Sequence, residues 1–302
     1  MNTISHKRLV MTAGDARVGK STTARLLLEL YLEFKLKLRA YYTGERNKLF
    51  NYEPLLIVSE LPLTRGGGDR LLIDLERFSA IQLALSDLPG QSFQQFKQFA
   101  KEVQLWDAIA SIGYRITFVH PISDRRDCVE YLQELFDYCG DKADYVIVKN
   151  LLFDNEFPYF DGIDIQKCIQ EIGGEELYLG ALWKGAYELV EAMNYPYCQA
   201  IESEEIDSLN RSRIFNWREE FHQQIRSNAT ISNLLGLTEK RQGAGSGEQG
   251  DKTTSTLDQI TREKRQGTLS RGEDPTSISQ FFFSPCTLPP APCLKNSGVS
   301  YG

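Results

Sequence analysis

The chain has no excess of positive charge. Its 34 Lys and Arg are outnumbered by 41 Asp and Glu, for a formal net charge of -7. Charge alone therefore supplies no basic field for nucleic acid. Long apolar runs are absent too. None approaches the roughly 18 residues that a membrane-spanning helix needs. Met1 to Arg8 lacks the apolar centre of a signal peptide and leads straight into a strand-like run. Paired cysteines are missing: Cys128, Cys139, Cys168, Cys198, Cys286 and Cys293 contain no CxxC spacing. They read as reduced thiols of a cytoplasmic protein. His6, His120 and His222 are too scattered to suggest a metal site.

What is present is an ordinary globular composition, 41% apolar over 302 residues. That length suits one large domain or two small ones. Short apolar blocks alternate with helical periodicity. Arg8–Thr12, Arg39–Thr43, Gln82–Ser86, Arg115–Val119 and Asp144–Val148 read as strands, and Leu177–Leu182 as a sixth. Ser21 to Lys35, Phe93 to Ile112 and Asp127 to Tyr138 read as helices. The pattern predicts an α/β fold, a mostly parallel central sheet flanked by helices. Arg211 to Arg226 puts Ile214, Trp217, Phe221 and Ile225 on one helical face. A helix covering the sheet is the plain reading, and a membrane-surface or partner helix the sharper one. The run from Thr64 to Arg70, with three consecutive glycines, reads as a lid near the phosphates or a mere connection. The aromatic run 152–164 reads as a packed surface loop.

Composition shifts near Thr238. Gly, Ser, Thr, Gln and charges then dominate, too polar to offset chain entropy. The expected division is a domain over 1–237 and a disordered, low-complexity tail over 238–302. Its repeated EKRQG could be a tethered contact segment.

One motif carries chemistry. Gly14-Asp15-Ala16-Arg17-Val18-Gly19-Lys20-Ser21 matches G-x-x-x-x-G-K-[ST], after a strand and before a helix. Gly14 permits the turn, and Gly19 lets the backbone approach phosphate closely. The loop's N–H groups form an anion nest, helped by the helix dipole. Lys20 can reach the β- and γ-phosphates, while Ser21 can place its hydroxyl on Mg²⁺. Asp87, at the end of an apolar strand in LALSDLPGQ, stands where a metal-side carboxylate belongs. Gly90 has the D-x-x-G spacing at which a backbone N–H can sense the γ-phosphate. Gln91 adds a likeness to the water-orienting glutamine of Ras-like GTPases. The guanine-reading N-K-x-D is missing, because Lys149 and Asn150 stand in the wrong order and no Asp follows at the needed offset.

With these residues the layout from Lys7 to Leu182 resembles the MinD/ParA/CobQ/CobB group of P-loop proteins. RLVMTAGDARVGKSTTARLL resembles the group's first strand, loop and helix, and LALSDLPGQ its strand ending in Asp-x-Pro. ITFVHPISD and DYVIVKN resemble the two strands that follow. The loop wording is also similar to that of plasmid mobilisation and stability accessory ATPases. The resemblance implies Mg-ATP as cofactor, bound by residues 14–22 including Thr22, with the Asn150 amide on adenine. It also implies a homodimer formed on ATP binding and a plasmid or DNA-processing partner. Two departures stand out. Asp15 replaces the lysine that crosses to a partner subunit's nucleotide, and Arg17 could substitute as a shifted cation. Where the group's second strand ends in Asp-x-Asp, Thr43 replaces the first acid and Glu45 keeps the second, which would position water or metal. Slow hydrolysis is therefore expected.

Three functions remain open. One is a switch ATPase that positions a partner, using Lys20, Glu45 and Asp87 in hydrolysis. The second is an ATP-dependent small-molecule transferase like dethiobiotin synthetase and CobB, with Arg17 or Arg65 beside the γ-phosphate. The third is a regulatory module that holds nucleotide without turnover.

Overall fold

The chain alternates its side chains between two cores, and that period of two builds the molecule. The computed structural model describes residues 7–43, 47–63 and 68–237. Leu9 and Met11 point to one core, whereas Val10 between them points to the other. Tyr145 and Ile147 alternate in the same way with Val146 and Val148. Strands buried on both faces need helices on both sides, which is the reason for their continuous apolar blocks.

Seven parallel strands result: β1 (Lys7–Thr12), β2 (Leu38–Tyr42), β3 (Val58–Glu60), β4 (Leu83–Asp87), β5 (Tyr114–Ile122), β6 (Asp144–Asn150) and β7 (Glu175–Leu179). Their order is β3-β2-β4-β1-β5-β6-β7. The six expected strands all form, and β3 is an addition of three residues at one edge. β1 lies in the middle, with Thr12 level with Asp87 on one side and Val119 on the other. The chain fills the β4 side first and then crosses to β5. The carboxyl ends of β4, β1 and β5 thus frame the point where the winding reverses, the place where such sheets hold ligands.

Helix α1 (Lys20–Glu33) joins β1 to β2, and α2 (Asp69–Arg77) precedes β4. A single helix from Phe93 to Ile112 is not what forms. The segment breaks into α3 (Phe93–Glu102) and α4 (Leu105–Ser111), with Gln104 in the left-handed region at φ 49°. Phe96 and Leu105 are both buried. At about 100° per residue, nine residues of unbroken helix would set them about 180° apart. The turn at Gln104 brings both to the core.

Next come α5 (Arg126–Cys139), α6 (Asp164–Glu171), α7 (Lys184–Met193), α8 (Tyr197–Glu202), α9 (Ser208–Ser227) and α10 (Ala229–Leu234). In α9, Ile214, Trp217, Phe221 and Ile225 are buried in the α1-side core, so the helix covers the sheet. His222 Nε2 contacts the Leu26 carbonyl of α1 at 2.8 Å. In the 152–164 segment Phe157 and Phe160 are buried. The Lys149 ammonium stands over both rings and pairs with Asp161 and Glu176, each at 2.6 Å.

At the opposite, amino-terminal end of the sheet, Arg8 of β1 and Arg115 of β5 converge on Asp144 of β6. No described helix is long and apolar enough to cross a membrane. Cys128, Cys139, Cys168 and Cys198 are free thiols. The expected tail, 238–302, lies outside the described residues, as do Cys286 and Cys293.

Candidate nucleotide site

β1 ends in Thr12, and the chain turns out of the sheet at Gly14, φ 138°. A Cβ on Gly14 would stand 3.3 Å from the His120 ring. Gly19 takes φ 97° as the N-cap of α1, and its missing Cβ leaves room for the Asn150 amide, which would otherwise be 2.7 Å away. The glycines of the motif are therefore set by conformation and by clearance. No side chain caps α1 and its first turn holds no acid. The N–H groups there stay open to an anion, with the helix dipole behind them.

Lys20 is buried, and its ammonium donates to the Asp15 carbonyl. Burial lowers its pKa, against the opposing pull of Asp87 and Asp15. Asp87 closes β4 between two hydroxyls. Thr12 Oγ donates to its Oδ1 at 2.6 Å, and Ser21 Oγ to its Oδ2 at 2.7 Å. Burial raises the Asp87 pKa even so, despite those bonds and the nearby Lys20 and Arg25. A divalent cation would reverse that balance, because it favours the carboxylate. The Ser21–Asp87 pair fits the donor set of a hard cation that keeps much of its water. Thr43, at the acid position of β2, lies beside this pair: its N–H donates to the Asp87 carbonyl at 3.1 Å. Its buried hydroxyl has no partner among the described residues. Glu45 falls outside the described residues.

The D-x-x-G turn lies directly on the loop. A Cβ on Gly90 would sit 2.8 Å from the Ala16 Cα. Gln91 follows at φ 59°, and its amide donates to Asp15 Oδ1 at 3.3 Å. The other oxygen of Asp15 pairs with Arg125, from the β5–α5 connection. Burial raises the Asp15 carboxyl, but bonds from the Ala16 N–H, Gln91 and Arg125 outweigh it and hold the pKa below the usual value. His120, fully buried beneath Gly14, has its pKa pushed down to about 3 by burial.

On the other side of the loop a cavity of about 630 Å³ opens. Gly19, Ser21 and Thr22 line it, together with Leu152, Leu182 and Trp217. Asn150 is wedged at the boundary. Its Nδ2 donates to the Val18 carbonyl at 3.0 Å, and its Oδ1 accepts from the Leu152 N–H at 3.0 Å. One amide hydrogen remains for a ligand. Arg17 is exposed, lines this cavity, and makes no ion pair among the described residues. Arg25 of α1 is buried in the cavity wall, bonded to Glu191 and to the Lys48 carbonyl. The structure thus brings together Gly14 to Thr22, Asp87 and Asn150. Arg25 and Arg125 are additions that sequence reasoning missed. Neither belongs to a spaced motif, and Arg125 stands 110 positions from its partner.

No protein-family model matches the chain, and no curated protein matches it. Among solved structures it is similar to the MinD cell division protein of Aquifex aeolicus, with 12% identity and a TM-score of 0.43 over 74% of this chain and 98% of that one. It is also similar to the signal recognition particle receptor FtsY of Elizabethkingia anophelis, with 11% identity and a TM-score of 0.41 over 57% and 58%. FlhF complexed with GMPPNP and Mg²⁺ matches at 16% identity and a TM-score of 0.36, over 60% and 68%. The chain spans less than two thirds of the FtsY chain.

Proposed function

We propose that the chain binds Mg-ATP at the 14–22 loop and acts as a slow switch ATPase that positions a partner. The observation that carries this reading is the Ser21–Asp87 contact of 2.7 Å beside the uncapped start of α1. It joins an anion site to a cation site. Lys20 would hold the phosphates, Ser21 and Asp87 the metal, Thr22 an inner phosphate, and Asn150 the adenine. Glu45 would orient water. Bound there, Mg²⁺ neutralises charge developing on the phosphate oxygens. A homodimer on ATP binding and a plasmid or DNA-processing partner belong to the same proposal.

The cavity gives a second reading its support. It runs beyond the loop to Arg25, Lys48 and Lys184, cations that suit a carboxylate substrate of an ATP-dependent transferase.

Titrating the full chain with ATP and GTP, with and without Mg²⁺, tests both. Magnesium-dependent ATP binding that Lys20→Ala weakens by about tenfold or more is expected. Undiminished binding to Lys20→Ala would sink the site. Equal affinity for GTP would overturn the adenine assignment. Turnover that appears only with an added carboxylate would favour the transferase.

A further inference from the structure

Two cations of the site converge on one residue. The Lys20 ammonium sits on the Asp15 carbonyl, and the Arg125 guanidinium on the Asp15 carboxylate. Neither contact uses a nucleotide, yet both lie on the loop that would wrap one. Arg125 Nη2 also donates to the Ala16 carbonyl at 3.2 Å, so the guanidinium lies across the first half of the loop. Its side chain is 44% exposed, against 8% for that of Asp15. The arginine is the more exposed partner, and its Nε also pairs with Asp127 at 3.3 Å.

A buried carboxylate beside a polyphosphate would repel it. Asp15 is tolerable there only if a cation covers it or if its partner is meant for the phosphate. Gln91 bears on the same choice. It holds the second carboxylate oxygen from the turn that packs on Ala16, so Asp15 remains satisfied in part when Arg125 leaves.

We propose that Arg125 is the cation that reads the third phosphate, supplied from within the same chain, and that Asp15 holds it in reserve until a triphosphate arrives. A diphosphate leaves the Asp15–Arg125 pair closed. The extra charge of the γ-phosphate offers the guanidinium a stronger, bidentate acceptor and draws it across the loop. The cation that Asp15 removes from the loop is thus returned through space, as an arginine in cis can be.

The inference rests on the nucleotide reading, and one experiment separates the two. The full-length protein is titrated calorimetrically with AMP-PNP and with ADP, each with Mg²⁺. Arg125→Ala should weaken AMP-PNP by about tenfold or more beyond its effect on ADP, which loses only what the uncovered Asp15 carboxylate repels. Arg125→Lys should restore part of the loss. Asp15→Asn, which keeps shape and removes one of the two competing carboxylates, Asp127 remaining at 3.3 Å from Arg125 Nε, should raise the preference for AMP-PNP over ADP. Equal losses for the two nucleotides, or no loss, would make Arg125 only the counter-ion of Asp15 and overturn the proposal. If Arg125→Ala fails to fold, Asp15→Asn decides: an unchanged preference overturns it. A wild-type protein that binds neither nucleotide overturns the nucleotide reading and this inference together.

Discussion

Asp144 shows how one carboxylate ties three strands. Arg115 reaches it from β5 with bonds of 2.7 and 2.9 Å, and Arg8 reaches it from β1. Burial pushes its pKa up, but the two guanidinium groups overcome this and hold it below the usual value. A carboxyl whose folded pKa is depressed stabilises the fold fully above the unfolded value, about 3.9, and loses that contribution as pH falls through the folded one. Asp144→Ala should therefore cost about 3 kcal/mol in urea unfolding at pH 7, since it leaves Arg8 buried without its partner. The cost attributable to charge should fade below about pH 4. A penalty of the same size at pH 7 and pH 3 would count against this account. At this scale the sequence was informative where residues are neighbours. Gly14, Gly19, Lys20 and Ser21 announce themselves by spacing, and Asp15 announces a departure from it. What answers Asp15 was not legible, because Arg125 comes to it through the fold.

Elements were legible in proportion to how much apolar surface each carries on consecutive turns. The central strands are continuous blocks because both faces are buried. β3 is three residues long with only Ser59 buried, so it leaves almost no pattern. Helices α2 and α6 each bury two side chains, Leu71 and Leu75 or Ile165 and Ile169. The α3–α4 break was hidden for a different reason. Residues on both sides are good helix formers, and only the need to bury Phe96 and Leu105 together forces the turn. Gln104 is exposed and holds φ 49°, a region that costs a side-chain-bearing residue about 1 kcal/mol. Gln104→Gly should raise the melting temperature by about 1–2 °C, as relief of that strain exceeds the entropy glycine adds to the unfolded chain. A lowered melting temperature in a thermal scan would show that the bend is held by something other than backbone conformation.

For the whole molecule, the strand order matters most. β1 is bonded on both sides, so the loop that leaves it starts from the least yielding part of the sheet. Ligand bound there should stabilise the entire domain and not one lobe of it. At a hundredfold excess over Kd the gain is about 2.7 kcal/mol. Mg-ATP should then raise the melting temperature by about 5–10 °C for a domain of this size, and Lys20→Ala, binding about tenfold more weakly, should cut the rise to about half or less at the same nucleotide concentration. An undiminished shift in Lys20→Ala would place the nucleotide elsewhere. The α/β class and the position of the site were legible from the alternation of segments. The reversal of winding between β4 and β5 was not, because it depends on which strands become neighbours.

The contact between Gly90 and Ala16 has a mechanical consequence. There is no clearance between the two loops, since even a methyl group would be 2.8 Å from the opposing backbone. Four residues after Ala16 α1 begins, and three residues after Gly90 α3 begins. A shift of the phosphate loop by a few tenths of an ångström has no slack to absorb it. The 89–92 turn must be pushed, and α3 with it. Phe93 opens that helix and meets Tyr131 and Tyr138 of α5 edge-on. A displacement of the 14–19 backbone would thus be passed, through backbone and then through rings, to the outer surface of the helical layer.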